Sequence, residues 1–161
     1  MPDERILTLS KPLQSTRRRG LRVLLVLMSV AVPVSIVHYT ENAINYADYP
    51  QSEPGGVPDP PGWMIAPSWL AFTAFGVLGL WLFIRGRITA AAIAIAVYSG
   101  SGLIGFGHYT IPGAFDMVWW RQAHIVADII CGLLLFTFAI WSVVVLRRND
   151  RALPKDATLG E

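Results

Sequence analysis

The sequence predicts an all-α integral membrane protein, four helices in an up-down-up-down bundle with both termini cytoplasmic. Three observations carry that prediction. The chain is 53% hydrophobic and 15% charged over 161 residues, with a mean hydropathy of +0.47, which is too apolar for a soluble domain of this length. Four apolar stretches, 21–39, 65–84, 88–107 and 118–146, each approach or exceed the ~20 residues that cross a ~30 Å hydrocarbon core. Of the thirteen Lys and Arg residues, all but Arg121 fall in the N-terminal segment, the turn 85–87 or the C-terminal tail. Backbone polar groups cannot stay unpaired in lipid, so the spans are helices rather than open strands.

The elements follow in order. Residues 1–20 are polar and basic and read as a mobile cytoplasmic arm. The first apolar stretch follows Arg17, Arg18, Arg19 and Arg22, as a signal peptide would, but no small-x-small cleavage site succeeds it. It therefore reads as a retained helix over 21–46, kinked at Pro33 and ended by Pro50. The outer loop, 48–67, is extended: residues 50–67 hold six of the eleven prolines, with Gly55, Gly56 and Gly62. Trp63 and Trp69 at its far end, and Trp119 and Trp120 further on, have the composition of interfacial anchors.

Helices over 65–84 and 88–107 are joined by Arg85-Gly86-Arg87, short enough to force an antiparallel hairpin. The third helix carries Ser99-Gly-Ser-Gly102-Leu-Ile-Gly105. Gly100, Gly102 and Gly105 match the glycine spacing of a dinucleotide loop, but no strand precedes them, and that reading is rejected. Ser101 and Gly105 instead fit the small-xxx-small spacing of closely packed membrane helices. The same smoothness would admit a flat porphyrin. A fourth helix, 118–146, and a cytoplasmic tail, 147–161, complete the chain, with the transmembrane domain at 21–146.

The basic residues set the orientation, because cytoplasmic loops concentrate Lys and Arg. Glu41, Asp48, Glu53, Asp59 and Asp116 lie on the opposite side, which is expected to face the periplasm or cell exterior. The Ala, Arg, Gly and Pro content suggests the cytoplasmic membrane of a bacterium. The net charge of +2 is a topology signal and does not argue for nucleic acid. Cys131, the single cysteine, lies mid-span and reads as a buried, inert thiol.

All three histidines are expected at the outer end. His38-Tyr39-Thr40 closes the first stretch, His108-Tyr109-Thr110 closes the third, and His124 opens the fourth with Asp128 one turn further in. At ~1.5 Å per residue, His38 lies ~24 Å beyond Arg22 and His108 ~31 Å beyond Arg87. The shared tripeptide raises a repeat of two hairpins, but nothing outside it supports one. Asp128 is the only charged residue between Arg121 and Arg147, and a mid-span carboxylate costs ~2.5–3.5 kcal/mol to insert. His124 and Asp128, four residues apart, share a helix face and are expected to act as one imidazole–carboxylate unit. The plain alternative is a polar pair that satisfies itself, helped by Arg121.

Three functional classes fit these residues. The first is a site for Zn, Cu or Fe, with His38, His108 and His124 as ligands and Asp128 or Glu41 completing the set. The second is a b-type haem held by two of the histidines, or a quinone site, in a respiratory-type complex; Phe106, Trp119 and Trp120 could line it. The third is a non-catalytic lipid-binding or accessory subunit. Besides the bilayer, other membrane subunits or a second copy of the chain are the partners this composition allows. Whether the protein is an enzyme is left open by the sequence.

Overall fold

A computed structural model describes residues 4–52 and 60–146, with the side chains of 4–13 excepted. Every regular element among the described residues is helical. Helix α1 is Glu4–Ile44, α2 is Ile65–Ile84, α3 is Ile88–Leu103 and α4 is Trp119–Trp141. Four helical segments are long and apolar enough to span a membrane: Gln14–Ile44, Gly62–Ile84, Ile88–Thr110 and Trp119–Leu146.

Several boundaries differ from those expected. The helix does not start near residue 21 but at Glu4, so most of the basic arm is continuous with α1. Good helix formers in that arm (Leu7, Leu9, Lys11, Leu13, Arg17, Arg18, Arg19) outweigh its polarity, which decides solubility rather than backbone state. The helix also runs unbroken through Pro33 to Ile44. Beyond Leu103 the third helix tightens into a 3₁₀ segment, Ile104–Thr110, where Gly105 and Gly107 weaken the α-helical preference. Helix α4 ends in a π-helical turn, Ser142–Leu146. Short 3₁₀ turns at Tyr46–Asp48 and Gly62–Met64 bracket the proline-rich connection, of which residues 53–59 lie outside the described residues, as does the expected tail.

Side-chain contacts establish that neighbouring helices are antiparallel. Arg17 meets the end of α2 while Ser35 meets Trp69 near its start. Gly76 faces Tyr98 and Gly79 faces Ile95 across α2 and α3. Gly20 lies against Trp141 whereas His38 meets Asp128 across α1 and α4. The four helices thus close a ring around Leu24, Phe83, Ile95, Tyr98 and Leu135. Much of the outward surface is apolar, including Val26, Val77 and Ile93, as a lipid-facing bundle requires.

Two devices hold the ring. Lipid tails are as apolar as the helix surfaces, so association depends on close packing at small residues. At Gly102 an added Cβ would collide with the backbone of Asp128, and at Gly132 one would lie 2.8 Å from the Ser99 carbonyl. Helices α3 and α4 therefore meet backbone to backbone at Gly102, one position from the expected Ser101, with no space there for a flat macrocycle. The other device is the α2–α3 turn. Gly86 takes φ +76°, its N–H bonds Phe83 O at 3.0 Å, and Arg87 N–H bonds Leu82 O at 3.0 Å. This Schellman ending satisfies carbonyls that the helix leaves open. Arg17 Nη2 donates to Ile84 O at 2.6 Å, tying α1 to the same corner.

Candidate functional site

Helices α1 and α3 run in the same direction, so their two His-Tyr-Thr endings arrive at the same end of the bundle. Helix α4 begins there, which brings His124 and Asp128 to the same level. The ring centroids of His38 and His124 are 5.4 Å apart, and those of His38 and His108 are 5.7 Å apart. The three imidazoles converge, with His38 between the other two.

The expected pairing of Asp128 with His124 is not what forms. Asp128 Oδ2 is 2.7 Å from His38 Nδ1, and both side chains are buried, at 3% and 4% exposure. Residues four apart on one helix share a face, but their side chains follow whatever the neighbouring helix presents. Here α1 presents an imidazole to Asp128 and a carboxylate to His124. His124 Nε2 lies 3.5 Å from Glu41 Oε2, and among the described residues neither ring nitrogen of His124 has a hydrogen-bond partner. Trp120 packs beside it.

Arg121 is the hub of the polar end. Its Nε donates to Glu41 Oε1 at 2.9 Å, and Nη2 donates to Asp48 Oδ2 at 3.1 Å. Its Nη1 reaches the Asp48 carbonyl at 3.2 Å. The guanidinium sits 4.9 Å from the Tyr49 ring centre and 5.1 Å from that of Trp120. Arg121, which the plain alternative set beside Asp128, is a buried clamp between α4, α1 and the turn after α1. Its carboxylate partners are Glu41 and Asp48.

Tyr49 is the residue that sequence reasoning missed. It is buried, donates to Glu41 Oε2, and its ring lies 5.1 Å from that of His108. The only signal was its place immediately before Pro50, where α1 was expected to have ended. Asn42 Nδ2 and His108 Nε2 are 3.3 Å apart, and Tyr39 Oη donates to the Ser101 carbonyl at 3.0 Å. Gln122 Nε2 bonds the carbonyls of Phe115 and Met117, fixing the connection between α3 and α4.

A cavity of about 470 Å³ opens at this end between α1, α2, the 3₁₀ end of α3 and the segment after α1. His38, Asn42, Tyr49 and His108 lie on its wall, together with Ile65, Phe72, Ile104 and Ile111. His124, Asp128 and Glu41 do not line it; they stand behind His38. Of the five side chains expected to hold a metal, two therefore reach the cavity. Among the described residues, no group of three or more His, Cys, Asp or Glu side chains is arranged to hold a metal ion. The reason is local: carboxylates that could have completed a ligand set are engaged, Asp128 by His38 and Glu41 by Arg121 and Tyr49. Of the three aromatic residues expected around a haem, Phe106 and Trp119 are exposed and Trp120 packs beside His124.

No family model, no curated protein and no solved structure matches the chain.

Proposed function

We propose that the chain is a polytopic membrane protein that binds an amphipathic small molecule of the quinone type at its histidine end. The observation that carries this reading is the 470 Å³ cavity with His38 and His108 on an otherwise largely apolar and aromatic wall. That volume falls within the ~300–1,000 Å³ of small-molecule sites, which pair apolar walls with a few placed polar groups. A quinone ring has an apolar body and carbonyl oxygens that accept hydrogen bonds. Ile65, Phe72 and Ile104 suit the body; the side chains of Asn42 and His108 suit the carbonyls. The distribution of basic residues favours the outer side of a cytoplasmic membrane for this end, with both termini inside. The metal reading receives less support, since the ligands it needs are split between the cavity wall and the buried layer behind it.

Titration of the purified protein with a short-tailed quinone, followed by tryptophan fluorescence quenching, tests the proposal. Saturable quenching is expected, and Ser68→Trp, which narrows the cavity from α2, should abolish it. Val26→Trp on the exposed face of α1 should leave it intact. Quenching that never saturates, or that survives Ser68→Trp, refutes the cavity as a quinone site. A stoichiometric transition metal or a Soret band in the same sample would replace this reading by a metal or haem one.

A further inference from the structure

We infer that the His38–Asp128 pair accepts a proton from the molecule in the cavity, so that the ligand class is a hydroxylated ring, a hydroquinone or another phenol. The inference rests on the cavity reading above and names the chemistry of its head group. It starts from a division of labour on one imidazole. His38 lines the cavity, and its Nδ1 lies 2.7 Å from Asp128 Oδ2. A carboxylate at Nδ1 favours the tautomer with the proton on that nitrogen, which leaves the Nε2 lone pair for the ligand.

The second argument is the cost of Asp128. An ionisable group within a membrane span is expensive and is retained where it serves a proton, an ion or a ligand. Orienting a neutral imidazole needs only an acceptor, which the amide oxygen of an asparagine supplies without charge. A carboxylate does more: it stabilises the imidazolium that forms when Nε2 takes up a proton, as in hydrolase triads.

The surroundings agree in sign. The groups around His38 are Asp128 and His124 from α4, His108 from the end of α3, and Tyr39 and Glu41 from its own helix. Arg121 is held on Glu41 and Asp48 beyond them. Among the described residues, one guanidinium thus stands with three carboxylates in this cluster, a surrounding of net negative charge. The step itself is acid–base only. The phenolic O–H bond breaks, an N–H bond forms at His38 Nε2, and the electron pair stays on the phenolate oxygen. The Nδ1 proton stays shared with Asp128.

The test uses the full chain in detergent and an alkyl-tailed 4-nitrophenol, whose phenolate absorbs in the visible and whose phenol does not. Its methyl ether serves as a binding probe with no proton to give. Wild type should bind both saturably and hold the phenol ionised at a pH about one unit below its ionisation in protein-free micelles, a tenfold change in the equilibrium. Asp128→Asn, which alters a side chain behind the cavity wall, should still bind the ether, which shows that the fold and cavity persist, but lose the shift; His38→Gln should lose the shift as well. Asp128→Glu should restore part of it. Saturable binding without a shift in wild type overturns proton acceptance and leaves the cavity reading standing. Failure to bind either probe overturns both. A shift that survives both His38→Gln and Asp128→Asn assigns it to other groups and also overturns the inference.

Discussion

His38 and Asp128 are 90 residues apart in the chain and 2.7 Å apart in the fold, where they join α1 to α4 through two buried side chains. The pair has an asymmetric energetic signature. Removing His38 leaves a carboxylate buried without its partner, whereas Asp128→Asn removes the charge and keeps an acceptor for Nδ1. His38→Ala is expected to destabilise the fold by about 3–5 kcal/mol. Asp128→Asn should cost about 1–2 kcal/mol, as for a weakened hydrogen bond. Reversible unfolding in mixed detergent–denaturant micelles measures both; equal costs would show that the charge, not the hydrogen bond, dominates.

Arg121 holds two carboxylates in different environments, and their exposure predicts which one matters. The Glu41 side chain is 11% exposed and that of Asp48 is 62% exposed. Asp48→Asn should cost less than about 1 kcal/mol, as solvent-screened ion pairs do. Glu41→Gln should cost several-fold more, because it leaves the guanidinium without its buried partner. Arg121→Lys should not rescue the site, since an ammonium cannot fork toward Glu41 and Asp48 at once. Limited proteolysis around residues 46–52 should accelerate in Arg121→Lys and Glu41→Gln but not in Asp48→Asn.

Glycines at the histidine end of the third span should separate sharply in their tolerance. A methyl group at Gly102 runs into the α4 backbone, while at Gly107 no described residue lies within 4 Å of the added carbon. Gly102→Ala is expected to cost about 1–3 kcal/mol through overpacking. Gly107→Ala should stay within about 0.5 kcal/mol of wild type. Thermal unfolding of the two variants side by side is sufficient; equal stability would mean that α3 and α4 do not pack at Gly102.

Orientation is tested by reporter fusions placed after Ile84 and after residue 146. Both are expected to report the cytoplasm, because Arg and Lys accumulate at that end. An outside signal from either would move the histidine end, and the proposed ligand site, to the inner face.

The four helical spans were legible in the sequence because hydrocarbon thickness imposes a length and an apolar composition on any segment that crosses it. The antiparallel order followed from the short Arg85-Gly86-Arg87 connection, and the gathering of all three histidines at one end followed from that order. Partner choice was not legible. The i, i+4 spacing of His124 and Asp128 states a shared face, but whether they bond each other depends on what α1 sets opposite them. The answer, His38 against Asp128 and Glu41 toward His124, comes from the rotation of α1 about its own axis. That rotation is settled by contacts distant in sequence: Arg17 on the end of α2, Ser35 with Trp69, and Gly20 against Trp141. Nor could the burial of Tyr49 be read locally, because it depends on Arg121 and Glu41 lying where the chain turns after α1. Length and polarity are properties of a segment, so the sequence determined the spans and the end at which the polar residues collect. Hydrogen-bond partners and the cavity are properties of several segments at once, and only the tertiary structure decided them.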